Sequence, residues 1–286
     1  MERKYIARLL ITCPDRSGIV ASVTNFLFSH GVNITALDQY SSDAEGGDFF
    51  LRLEFHTPHL DITKPALETA FQTVVADRFD MDWRLTYGAQ TKQMALFVSK
   101  EEHCLMELLW RWSRGELPCD ISMVVSNHPD NKESVESFGV PYHYLPVTPE
   151  TKDQVEARLL ELLDNKPDLI VLARYMQILS PNFVQHFPDR IINIHHSFLP
   201  AFAGADPYRQ AAERGVKIIG ATAHYVTAEL DGGPIIEQDV ARISHRHNTN
   251  DMKDLGRDLE RQVLARAVRW HLDDKIIIHG NKTVIF

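Results

Sequence analysis

Asp168-Leu-Ile-Val-Leu172 and Arg190-Ile-Ile-Asn-Ile-His195 are the stretches whose reading decides the fold class. Each is a short, nearly continuous apolar run, too short for a helix and without polar alternation. Such runs read as strands buried on both faces of a sheet. Working outward, Met94-Ala-Leu-Phe-Val98 and Ile121-Ser-Met-Val-Val125 have the same character. Between these runs the periodicity becomes helical, over 101–114, near 131–138 and over 151–164. Residues 216–225 and 234–243 add two strands, Asn250–Trp270 a long helix, and 275–286 a terminal strand or hairpin. Asp206-Pro207 reads as the N-cap and first residue of a further helix. Short buried strands alternating with helices predict an α/β domain with a doubly wound, mainly parallel sheet. Such a sheet binds ligands at the carboxyl ends of its strands, at a switch point.

The first 87 residues have another rhythm. Tyr5–Cys13 is a β-rich run, broken by Pro14-Asp-Arg-Ser-Gly18. Ile19, Val20, Val23, Phe26, Leu27 and His30 follow at helical spacing, with Gly31 as a stop. Strands are expected over Asn33–Ser42 and Asp48–His56, a helix over Lys64–Phe79 and a last strand over Met81–Tyr87. This β-α-β-β-α-β order predicts a ferredoxin-like α+β sandwich. Gly88-Ala-Gln-Thr-Lys92 reads as a linker, which puts the expected domains at 1–88 and 89–286.

A chain of 286 residues fits two domains and buries enough surface to fold without staples. With 30 basic and 39 acidic residues, the net charge of −9 argues against nucleic-acid and membrane-surface partners. Cys13, Cys104 and Cys119 are widely spaced and form no C-x-x-C pair, as expected of reduced thiols. The apolar run at the N-terminus is too short for a signal peptide and no 18-residue apolar span occurs, so a cytoplasmic location is expected.

Three segments carry chemistry. In Asn193-Ile-His-His-Ser-Phe-Leu-Pro200 a strand delivers an amide and an imidazole to its carboxyl end. The two-residue spacing puts Asn193 and His195 on one face. An N–H donor beside a histidine suits acyl transfer, one stabilising an oxyanion and the other moving protons. In Leu230-Asp-Gly-Gly-Pro-Ile-Ile236 glycine and proline force a turn with Asp231 at its apex, placed to orient an imidazole or a water. Leu172-Ala-Arg-Tyr-Met-Gln-Ile-Leu-Ser180 begins where a buried strand ends, and its backbone suits the edge of a flat heterocycle. Each segment also has a plainer reading: a polar pair at a strand end, a turn former, a strand-to-helix connection. His245-Arg-His247 is an H-x-H pair, but no third ligand stands at a metal-like spacing, so no metal is expected.

In that order the three segments resemble the formyltransferase family that uses 10-formyltetrahydrofolate, over roughly residues 92–286. The stretch from Leu172 to Ser180 is similar to that family's folate-binding segment. Residues 5–87, with D-R-S-G-I-V at 15–20 and H-G-V-N-I at 30–34, resemble an ACT domain. An ACT domain before a formyltransferase domain is the layout of the formyltetrahydrofolate deformylases, which the segment from His195 to Ala211 also resembles. The resemblance implies hydrolysis of 10-formyltetrahydrofolate to tetrahydrofolate and formate, with no cofactor, in supply of formate for purine synthesis and balance of the folate pool. It assigns catalysis to Asn193, His195 and Asp231. Folate contacts fall on Leu172, Arg174, Tyr175, Met176, Ile178, Thr227 and Leu230. An amino-acid effector, glycine or methionine, is assigned to Asp15, Gly31, Asn33 and Ile34, in a homo-oligomer, dimer or tetramer. Transferases with a phosphorylated acceptor carry a glycine-rich loop after the first strand. Here Val98-Ser-Lys-Glu-Glu-His-Cys104 has no glycine and two adjacent carboxylates, which repel phosphate. Water is then the expected nucleophile. The alternatives are transfer to an unphosphorylated amine, or an inactive folate- or amino-acid-binding regulator.

Overall fold

The computed structural model describes residues 2–43, 45–201 and 207–286. They divide into two compact units. The first comprises residues 1–91 with 274–277 and 284–286, the second 92–273 with 278–283.

In the first unit β1 (Ile6–Pro14), β2 (Asn33–Ser41), β3 (Asp48–His56) and β4 (Asp82–Tyr87) form an antiparallel sheet in the order β2-β3-β1-β4. Helix α1 (Ile19–Ser29) lies between β1 and β2 in the chain. Alternate residues of β1 and β3 (Leu9, Ile11, Leu51, Leu53, Phe55) form a core with Val23 and Leu27 of α1 and with Leu67 and Phe71. The expected helix at 64–79 is broken. α2 (Lys64–Phe71) runs into a π-turn at Gln72–Ala76 and then α3 (Asp77–Phe79). Gln72 there accepts a hydrogen bond from the Trp83 indole. The C-terminal pair β12 (Ile276–His279) and β13 (Lys282–Ile285) departs from the expected division, since part of it clusters with the first unit. The reason is apolar cover: Leu10 and Phe50, facing away from the helices, pack against Ile277, Val284 and Phe286.

The second unit is built on a seven-stranded sheet. Its strands are β5 (Lys92–Val98), β6 (Cys119–Ser126), β7 (Tyr142–Tyr144), β8 (Leu169–Leu172), β9 (Ile191–His195), β10 (Ile218–Tyr225) and β11 (Ile235–Arg242). The order is β11-β10-β9-β8-β5-β6-β7, parallel from β7 through β9 and antiparallel at β10 and β11. The buried β8, with all four residues enclosed, is the strand its apolar run predicts. The helices are α4 (His103–Ser113), α5 (Lys132–Glu136), α6 (Lys152–Leu163), α7 (Pro181–His186), α8 (Pro207–Arg214) and α9 (Thr249–Leu272). Asp206, the expected cap of α8, lies outside the described residues. Leu159 and Leu163 of α6 and Phe183 of α7 pack with Ala95, Phe97, Ile170 and Ile191 of the sheet. The chain leaves β5 toward β6 and β7, then returns to place β8 on β5's other side. That reversal is the switch point, where the carboxyl ends of β5 and β8 open a crevice.

Candidate active site

The candidate residues of the second unit collect at this crevice. β9 presents Asn193 and His195 two residues apart, and antiparallel pairing with β10 sets His224 opposite Asn193. The chain then leaves β10 for the turn that carries Asp231. That turn is pinched: Tyr225 N–H donates to Pro234 O at 2.9 Å, and Gly233 comes so near Tyr225 that a Cβ would sit 1.9 Å from its carbonyl oxygen. Asp231 takes a left-handed backbone conformation, φ +54°, which Asp tolerates better than most residues. Asp231 Oδ2 thereby lies 3.3 Å from His195 Nδ1. The His195 N–H beside it outweighs its partial burial and holds the Asp231 carboxyl below its ordinary range. His195 is 7% exposed, and its Nε2 is buried without a hydrogen-bond partner.

His224 was not singled out for catalysis in the sequence, and it organises the amide. Burial lowers its pKa, so the ring is held neutral. Its Nδ1 lies 3.0 Å from Tyr225 O, a group that only accepts, so Nδ1 carries the proton. Nε2 is then an acceptor, 3.2 Å from Asn193 Nδ2. One N–H of Asn193 is committed to His224 and the other is left over. Strand pairing was the missing signal, because no spacing along the chain relates positions 193 and 224.

Leu172, Arg174, Tyr175, Met176, Ile178, Thr227 and Leu230 line one cavity of about 380 Å³ together with Asn193, His195, His224 and Asp231. Their parts differ. Leu172 and Tyr175 are core residues, Tyr175 packing edge-on against Phe97. Met176, Ile178 and Leu230 are 57%, 61% and 64% exposed, an apolar rim of the kind that a ligand covers. The expectation that backbone of 172–178 is free to meet a heterocycle is narrowed by Ser99. Its N–H donates to Arg174 O and its hydroxyl accepts from Met176 N–H, while that hydroxyl donates to Asn127. His196 shares the cavity with His195, because β9 ends at His195 and strand alternation stops there. Burial, and next Arg174, push its pKa down to about 4.

The resemblance-based effector residues do not converge within one chain. Asp15 follows the carboxyl end of β1, where Pro14 pairs with Asp48. Asn33 pairs with His56, which pairs with Ile6 at the other end of β1. Eight strand steps of about 3.3 Å put the two sites roughly 26 Å apart. Among the described residues His245 and His247 join no metal-like group. His103, Cys104 and Glu260 do, with ligand atoms within 4.8 Å among the described residues. Both Glu260 oxygens, however, already accept hydrogen bonds, from His103 and Tyr208.

Comparison with known proteins agrees with this geometry. Residues 92–268 match the family described as Formyl transferase, and residues 7–72 match the ACT domain. The formyltetrahydrofolate deformylase of Bacillus subtilis is 55% identical over 280 residues, covering 98% of this chain and 93% of that one. The chain belongs to the formyltetrahydrofolate deformylase family. A solved family member from Pseudomonas syringae superposes with a TM-score of 0.94 at 50% identity, covering 98% of this chain and 94% of that one. A glycinamide ribonucleotide transformylase from Symbiobacterium toebii matches only part of the chain. It has a TM-score of 0.65 and 30% identity, and covers 68% of this chain and 94% of its own. By these matches the chain joins an ACT domain to a formyltransferase-fold domain.

Proposed function

We propose that the protein hydrolyses 10-formyltetrahydrofolate to tetrahydrofolate and formate. Water adds to the formyl carbon, the bond from that carbon to N10 breaks, N10 takes one of the water's protons, the other passes to solvent, and formate leaves as an anion. The observation that carries this reading is the convergence of Asn193, His195 and Asp231 on one cavity, with His195 Nδ1 and Asp231 Oδ2 at 3.3 Å. Asp231, held ionised, orients the imidazole and the attacking water. When protonated, His195 supports the tetrahedral intermediate through its Nε2–H and relays that proton toward N10. The N–H of Asn193 that His224 does not take donates to the oxyanion.

Hydrolysis is favoured over transfer by the chemistry after β5. The residues there are Ser99, Lys100, Glu101 and Glu102, and the buried Glu260 carboxylate sits 2.7 Å from His103 Nε2 at the start of α4. These carboxylates near the start of α4 add negative charge that is unfavourable to phosphate. The pterin is bound by the segment 172–178 and the loop 227–231, with Met176, Ile178 and Leu230 covering its apolar faces. The reaction requires no cofactor. Released formate serves purine synthesis and the folate pool is rebalanced, in the cytoplasm; among the described residues no helix is long and apolar enough to cross a membrane.

The ACT unit binds a small amino acid, glycine or methionine, in a homo-oligomer. Support comes from the separation of Asp15 from Gly31, Asn33 and Ile34: one ligand meets both sets only where two copies adjoin. The domain division follows the same reading, a regulatory unit ending near residue 88 and a catalytic unit after it.

Formate release from 10-formyltetrahydrofolate with water as the only acceptor tests the reaction. Asp231→Asn is expected to lower that release by at least about 10²–10³-fold while folate binding and thermal stability stay near wild type. Undiminished release in this variant refutes the assignment of Asp231. Wild-type protein that releases formate only when an amine is added refutes hydrolysis.

A further inference from the structure

One cation lines the cavity and the mechanism above leaves its side chain unused. Among the described lining residues Arg174 is the sole Lys or Arg, and Glu229 and Asp231 are the carboxylates that line the same cavity. Its backbone is left-handed, φ +64°, a conformation uncommon for a long side chain. The side chain is 14% exposed and its Nε is buried without an acceptor. Its ion pair is with Glu260, Nε to Oε2 at 3.5 Å, long for a charge-assisted hydrogen bond. Glu260 has little left to offer: Oε2 accepts from His103 Nε2 at 2.7 Å and Oε1 from the Tyr208 hydroxyl at 2.9 Å. Glu260 thus balances the charge of Arg174 and holds it in place without using up its donors.

A buried guanidinium with open donors calls for an anion. Hydrolysis of a formyl amide makes one at the reacting carbon, whereas transfer to an amine makes a neutral amide. A planar carboxylate matches the two parallel N–H groups of a guanidinium. Formate generated near Asp231 would be repelled by that carboxylate unless a cation received it.

We propose that Arg174 is the formate-binding residue of the site, a product-anion subsite held in place by Glu260, His103 and Tyr208. The assignment rests on the hydrolase reading. It also gives the Arg174 side chain a role separate from the contact its backbone segment makes with folate. The low pKa of His196 agrees with it, since a neutral His196 leaves Arg174 as the fixed positive charge on that side of His195.

Product inhibition separates the two roles. Formate is expected to inhibit the wild-type enzyme, and Arg174→Gln to raise its inhibition constant by at least about tenfold while that of tetrahydrofolate moves by less than about threefold. Arg174→Gly, which suits the left-handed backbone, is expected to act the same way, so that strain does not explain the shift. Equal formate inhibition in wild type and both variants overturns the subsite, as does a wild-type enzyme indifferent to formate. A readout that needs no variant is protection of Arg174 by formate from modification by phenylglyoxal, mapped by peptide mass; absence of protection overturns the proposal. Wild-type enzyme that releases no formate in water refutes hydrolysis itself. Release with unaltered inhibition in the variants refutes only the subsite.

Discussion

Asn193 shows how much a residue's role depends on a neighbour the chain does not announce. Its place on the same face as His195 is readable from the two-residue strand period. Its usable N–H is not, because that depends on which ring atom of His224 accepts. With Nδ1 of His224 donating to Tyr225 O, Nε2 fixes the amide so that its second N–H is left for the substrate. His224→Leu removes the acceptor and lets the amide turn. The expected result is a kcat lowered about tenfold, near 1.4 kcal/mol of transition-state stabilisation, with KM little changed. His224→Gln keeps an acceptor and is expected to recover part of the rate. Steady-state kinetics of both variants check this, and an effect confined to KM argues against it. Asp231 was legible as a residue at a forced turn. That it could orient an imidazole was legible too, but its distance from His195 was not, since that needs the turn to fold back over the end of β9.

The turn between β10 and β11 is the element that places Asp231, and its neck sets the angle. The sequence Asp231-Gly-Gly-Pro234 announces a turn, but not which glycine is indispensable. Gly232 would meet the Glu229 side chain, which is flexible, whereas Gly233 would meet the Tyr225 backbone at 1.9 Å. Gly233→Ala must therefore spread the neck, at a cost of about 1–3 kcal/mol for overpacking, and carry Asp231 away from His195. The expected outcome is a lowered urea midpoint together with formate release reduced at least about tenfold. Gly232→Ala is expected to be milder in both measurements. Most other elements were legible because their apolar period is strong, as in β1, β3, β8 and α9. Others were not. β7 has only three residues, and the six-residue α7 follows a loop whose sequence reads equally well as a connection. The π-turn in the helix from residue 64 leaves the local apolar spacing almost unaltered.

For the whole molecule, the antiparallel register of the first unit shapes the regulatory question. Asp15 and Asn33 stand at opposite ends of one sheet, so a site using both is made by two copies. Glycine or methionine is expected to change deformylation by the oligomer, and Asp15→Ala or Asn33→Ala to abolish the response in homo-oligomers. Mixed oligomers of the two variants hold some intact pairs and are expected to regain part of it. Activity measured against each amino acid, with sedimentation to establish the oligomer, checks this, and a flat response to every amino acid refutes it. By itself the sequence determined the two-part architecture and the parallel sheet, and it offered Asn193, His195 and Asp231 as candidates. The architecture follows from apolar period and turn chemistry, which are local properties of the chain, and the three candidates from residue type together with the resemblance of their segments to the formyltransferase family. Only the tertiary structure decided that His224 orients Asn193, that Ser99 braces the 172–179 loop, and that Glu260 pairs with Arg174. The same holds for the C-terminal strands, part of which covers the first unit. Each of those depends on strand register or helix packing between positions tens of residues apart, where the chain's own spacing says nothing about who meets whom.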